Sequence, residues 1–217
     1  MKKTLPLIFC ALTFVMQLFK SNIATAQLIP FACRNGVAYQ VAGTPASSLY
    51  SYNVITGIRS EKAAIFTPVD RISAPAAPSG TNIRINATGY SPIDNFIWGW
   101  EDLSLGQVVR IDTTGKFERY TIPNLPSRSG ATVIPYNCGE VLPDGYLILY
   151  RSNETVFYTI DINPNRPATY LQLVNPATKN VSTTGTTLSE GMNVNDFVYN
   201  STTGLIQSMN NASGGNA

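Results

Sequence analysis

Beyond residue 27 the chain alternates apolar and polar positions with a period of two over short runs, and no stretch holds helical spacing for a useful length. Four apolar runs recur: VAYQV from Val37, FIWGW from Phe96, YLILY from Tyr146 and LIQSM from Leu205. Each follows a pair that tolerates positive φ in a tight hairpin: Asn35-Gly36, Asp94-Asn95, Asp144-Gly145 and Thr203-Gly204. Gly36 to Asn95 is 59 residues, Asn95 to Gly145 is 50 and Gly145 to Gly204 is 59. Self-similarity at such a period is the mark of a repeat architecture.

The flanks repeat as well. NATGYSPIDN (86–95), NCGEVLPDG (137–145) and NVNDFVYNSTTG (193–204) lead into three of the turns. SLYSYNVITG (48–57), QVVRIDTTG (107–115) and VFYTIDINP (156–164) predict the next strand and turn; IRSEKAAIF (58–66), KFERYTI (116–122) and ATYLQL (168–173) predict a further strand. Four short antiparallel strands per unit match a propeller blade in size and content. The expected fold is therefore all-β, with propeller-like repeats of four-stranded blades: three full units and part of a fourth, an incomplete propeller. The units fall at about 31–72, 83–127, 134–176 and 193–212 within a domain of 27–212, followed by a tail at 213–217. Phe96, Trp98 and Trp100 face one way and Ile97 and Gly99 the other, so FIWGW needs cover on both faces. YLILY needs the same.

The amino terminus changes the picture of charge. Lys2 and Lys3, an apolar run from Leu5 to Phe19 and Ala24-Thr25-Ala26 form the three parts of a secretory signal peptide, with cleavage before Gln27. The run is shorter than the roughly 18 residues a spanning helix needs. Removing Lys2, Lys3 and Lys20 leaves 12 of the 15 basic residues against 13 acidic ones, so the net charge falls from +2 to −1. The basicity belongs to the leader, and nucleic acid is not an expected partner. A secreted, extracellular chain without a membrane span after cleavage is expected.

There is no histidine. That removes the commonest general base and the His-dependent nucleophile and zinc systems. Asp94, Asp112, Asp144, Asp161 and Asp196 recur near strand ends. They read either as turn caps or as an acidic ring able to hold Ca²⁺, and the repetition at equivalent turns favours caps. Glu101-Asp102 beside Trp100 is the one acidic pair off that pattern, and Trp100, Glu101 and Asp102 are the candidate ligand-binding residues. Trp98 is expected in the core and Trp100 partly exposed at a rim. Cys33 and Cys138 can pair in an exported chain or stay as two buried thiols. Asn86, Asn153, Asn180, Asn200 and Asn211 stand in glycosylation sequons, of consequence in a eukaryotic source.

The pieces FAC-NG-AYQV, NATGYSPIDNFIWGW, QVVRIDTTG, LPDGYLILY and FYTIDINP resemble a secreted family known as domain of unknown function 6923. The resemblance runs from about Phe31 to Asn210 and implies a β-propeller without established catalytic residues. The expected function is a non-catalytic binding or adhesion module for a glycan or an extracellular protein, without cofactor or metal. The alternative is a propeller-type enzyme, a lyase or Ca²⁺-dependent hydrolase.

Overall fold

The computed structural model describes residues 28–32, 36–43, 46–63, 67–68, 83–102 and 105–208. The leader, Cys33, Asn211 and the tail lie outside these. Among the described residues every regular element is a strand. β1 (Val37–Ala42), β2 (Ser48–Asn53) and β3 (Arg59–Ala63) form one antiparallel sheet. β4 (Thr67–Pro68), β5 (Ile85–Ser91), β6 (Phe96–Glu101), β7 (Gln107–Ile111) and β8 (Lys116–Tyr120) form the second, in the order β4-β8-β7-β6-β5. After the small pair β9 (Arg128–Ser129) and β10 (Thr132–Val133) comes the third sheet: β11 (Cys138–Val141), β12 (Tyr146–Tyr150), β13 (Val156–Asp161) and β14 (Thr186–Thr187). β15 (Val198–Asn200) and β16 (Leu205–Gln207) make a final hairpin. None of the sheets closes into a barrel.

The turn residues do what their chemistry allows. Gly36, Asn95, Gly145 and Gly204 have φ of 80°, 60°, 85° and 71°, and each immediately precedes β1, β6, β12 or β16. One expected strand is absent. Residues 168–173 form turns, with a single bridge from Leu173 to Ile160, and β14 takes the outer position on β13. Arg166 and Thr169 bind the Asp161 carboxylate. Those bonds fold the segment back on itself in place of a ladder.

Successive sheets cover each other face to face. Ile97, Val109, Ile111 and Phe117 of the second sheet pack with Leu49, Tyr39 and Val41 of the first. From the opposite face, Phe96, Trp98 and Trp100 pack with Leu147, Leu149 and Ile160 of the third. Ile148 and Tyr150 then turn away from the second sheet, toward Val194 and Phe197. The two faces of FIWGW thus serve two neighbours, and YLILY repeats the arrangement one sheet along. All of β6 and all of β12 are buried in consequence. Each large apolar side chain buried this way stabilises by roughly 1.5–3 kcal/mol.

The strands that begin the antiparallel run of each later sheet lie side by side: β5 packs against β11, and β11 against β15. Backbones touch at the first junction. A Cβ on Gly139 would stand 2.2 Å from the Ala87 carbonyl oxygen, and one on Gly89 would stand 2.4 Å from the Val141 nitrogen. Ala87 itself has φ of 50°, in a bulge between Asn86 and Gly89.

Candidate functional site

Trp100, singled out with Glu101 and Asp102, is fully buried rather than partly exposed. Its Nε1 donates to the Ile134 carbonyl at 2.8 Å, and its ring meets Tyr136 edge to face at 4.8 Å. The expectation of a rim position fails because the β9–β10 segment and the irregular stretch 134–137 leading into β11 close over the end of β6. Trp98 is equally buried, donates to Asp94 Oδ2 at 3.1 Å and stacks on Tyr120. Neither indole offers a face to solvent.

The acidic pair is engaged in the protein's own ion pairs. Arg119 donates from Nε and from one terminal nitrogen to the two oxygens of Glu101, at 2.6 and 3.0 Å, and both side chains are closed to water. Asp102 accepts from Arg84 Nε at 2.7 Å, while its Oδ2 is buried without a hydrogen-bond partner. Bidentate guanidinium–carboxylate pairing of the Glu101 kind fixes the orientation of both groups.

The repeated aspartates cap turns where their contacts are defined. Asp112 Oδ1 accepts from the Thr114 and Lys116 amides and from the Thr114 hydroxyl, while Oδ2 takes the Ile29 amide. Asp161 takes the Asn163 amide besides Arg166 and Thr169. Asp94 accepts from Phe96 and Trp98. Among the described residues no three His, Cys, Asp or Glu side chains come together as a metal-holding group. The second sheet carries a further cation, Arg110, which pairs with Glu118 at 2.7 Å and lies over the Phe96 ring at 4.7 Å.

Cys138 is a free, fully buried thiol whose Sγ donates to the Val194 carbonyl at 3.2 Å. Cys33, its expected partner, lies outside the described residues. Burial first, and then the charge of Asp196, pushes the Cys138 pKa up to about 12. Of the sequon residues, Asn153 and Asn180 are exposed and Asn86 and Asn200 half-buried.

One open feature escaped the sequence reading. A groove of about 480 Å³ runs between β1 and β5, lined by Phe31, Tyr39, Val41, Tyr90, Ile97 and Asp196 among others. Phe31 and Ile97 are buried and form its floor, and Tyr39 meets Phe31 edge to face at 4.7 Å. Tyr90 stands on the opposite wall, its hydroxyl donating to Asn95 Oδ1 at 2.6 Å. Asp196 enters from the segment before β15, so residues from three repeats meet here. No lysine or arginine is among the described residues lining the groove. Sequence spacing had no means of finding it, because its walls are about 50 and 106 residues apart (Tyr39 to Tyr90, and Tyr90 to Asp196).

Two carboxylates clasp the junction behind that end of the groove. Glu140 accepts from the Tyr199 amide of β15 at 3.2 Å and from the Val141 amide at 2.8 Å. Asp196 accepts from the Phe197 amide at 2.8 Å and from the Gly139 amide of β11. Burial holds both above the usual carboxylate range, and the Asp196 charge raises Glu140 further.

A family model described as a repeat of unknown function (DUF6923) matches residues 68–215. No curated protein matches the chain. The match spans about two thirds of the sequence and includes the second and third sheets and the final hairpin, so the chain belongs to the DUF6923 repeat family.

Proposed function

We propose that this chain is a secreted, non-catalytic binding or adhesion module built on a β-propeller. In this reading the second sheet, the third sheet and the final hairpin are successive blades, with β5, β11 and β15 innermost. The observation that carries it is the side-by-side packing of those three strands while their sheets stack face to face. Such stacking leaves rims and inter-blade grooves as the surfaces free to meet a partner.

The state of the acids supports binding over turnover. Glu101 and Asp161 are held by arginines, Asp112 by backbone amides, and Asp94 by an indole N–H. A general acid or base needs a proton-accepting atom within reach of substrate, and these carboxylates are committed to the scaffold. The partner class that suits an extracellular module of this kind is a glycan or an extracellular protein.

The test is export of the full chain followed by probing on a glycan array and on a panel of extracellular matrix proteins. Mature protein beginning at Gln27, with saturable binding that survives chelation by EDTA and leaves the ligand chemically unchanged, is the expected result. Retention of Met1, or ligand recovered as a cleaved product, overturns the reading.

A further inference from the structure

We propose that the groove between β1 and β5 binds an alkylammonium group, such as a trimethylammonium head, between Tyr39 and Tyr90 and against Asp196. The inference rests on the reading of the chain as a binding module and names the chemistry its open groove would accept.

Three observations converge on this chemistry. The walls are aromatic: Tyr39 and Tyr90 are half-buried on facing strands above Phe31. A ring face attracts a cation through its quadrupole, most effectively where water is partly excluded. The charge of the lining is negative, supplied by Asp196, and no basic residue among the described lining offsets it. The same balance makes the groove a poor place for phosphate, sulfate or a carboxylate. Finally, Glu140 lies behind Asp196 across the β11–β15 junction, and the hydrogen bonds both acids accept among the described residues come from backbone amides rather than guanidinium or ammonium groups. A bound cation would compensate a pair of charges that no ion pair among the described residues offsets. This sets Asp196 apart from Glu101, Asp102 and Asp161, each already matched by an arginine.

A volume of about 480 Å³ is in the usual range for small-molecule pockets. It exceeds what a single trimethylammonium head needs, so the rest of a ligand has space along Gln40 and Thr88. Gln40 Oε1 accepts from the Tyr52 hydroxyl at 2.8 Å. The ligand is therefore an ammonium group carried on a larger body.

The experiment titrates the intact exported protein with choline and with 3,3-dimethyl-1-butanol, its neutral isostere, following tyrosine resonances by NMR. Saturable choline binding, with the isostere weaker by roughly threefold to thirtyfold, is expected. Tyr39→Leu and Asp196→Asn should each weaken choline by a factor in the same range, while Tyr39→Phe keeps it. Phosphocholine and a trimethyl-lysine peptide then distinguish a headgroup source from a peptide source. Thermal melts establish that each variant is folded, and Tyr39→Leu decides the matter if Asp196→Asn disturbs the junction. Equal binding of choline and its isostere overturns the proposal, as does a folded wild type that binds neither. Should the arrays find a partner while choline fails, the ammonium site alone falls; should both fail, the binding reading falls with it.

Discussion

Gly139 of β11 lies against Ala87 of β5 so closely that a methyl group on residue 139 would stand 2.2 Å from the Ala87 carbonyl oxygen. The obstacle is backbone, and it cannot swing aside as a flexible side chain would. Gly139→Ala should therefore lower stability by about 1–3 kcal/mol or more, by forcing the second and third sheets apart. Gly57→Ala is the control. Its φ is 71° but nothing lies within 4 Å of the added atom, so only the left-handed backbone cost of about 1–2 kcal/mol remains. Urea denaturation of both variants separates the two effects.

The tryptophans of β6 should behave alike. Trp98→Ala and Trp100→Ala each remove a fully buried indole and should cost about 3–5 kcal/mol. Trp100→Phe keeps most of the volume but leaves the Ile134 carbonyl without its donor, at a cost of about 1–3 kcal/mol. Thermal unfolding of the three variants checks this. A Trp100→Ala protein as stable as wild type would contradict the packing.

Glu101 and Arg119 are both closed to water, so removing Glu101 leaves a buried guanidinium without its carboxylate, and removing Arg119 takes from Glu101 its bidentate partner. Glu101→Leu and Arg119→Met should each cost about 3–5 kcal/mol, while the double variant Glu101→Leu/Arg119→Met should recover most of the loss. A double-mutant cycle measures the coupling directly.

The β11–β15 junction should strengthen in mild acid. Glu140 and Asp196 have pKa values raised in the folded state, chiefly by burial, so the folded chain holds their protons more tightly than the unfolded chain does. The stability linked to them is fully present below the ordinary carboxylate range and is lost as pH rises through the raised values. Hydrogen exchange of the Tyr199 amide should therefore show slower opening near pH 4–5 than at pH 7, after correction for intrinsic rates. Glu140→Gln should flatten that dependence.

Cys138 should resist thiol reagents in the native protein. Its Sγ is buried, hydrogen-bonded to Val194 and holds its proton to a pH of about 12. Alkylation by iodoacetamide should proceed only in denaturant. Rapid native labelling would mean that the segment around Val194 opens readily.

Much of this architecture was legible because tight turns carry local signatures. Asn95 and Gly145 mark hairpins by residue type alone, and the strands after them were placed from the same signal. The twofold covering of FIWGW followed from its having no polar face. The segment ATYLQL misled because its alternation is that of a strand, while Asp161, Arg166 and Thr169 bind one another and curl the chain. Trp100 misled for a related reason: a polar neighbour in sequence says nothing about the β9–β10 cover that arrives some thirty residues later. Glu101 looked like an unmatched acid because its arginine is two strands away. The groove was invisible altogether, since the turn and strand signals report on local chain and its walls come from three different repeats.

The short strand β4 has a consequence for how such proteins are divided. Thr67 and Pro68 run parallel to Lys116 and Phe117, so the outer border of the second sheet is supplied by chain that comes well before β5, where that sheet's antiparallel run begins. A proline there also withholds an N–H from anything approaching that border. Repeat and sheet are thus out of phase, and the family match begins at residue 68, inside this strand. Excising a unit at Ile83 would bare the ladder of β8 and create a template for aggregation. A cut placed ahead of Thr67 carries the selvedge along with the cloth.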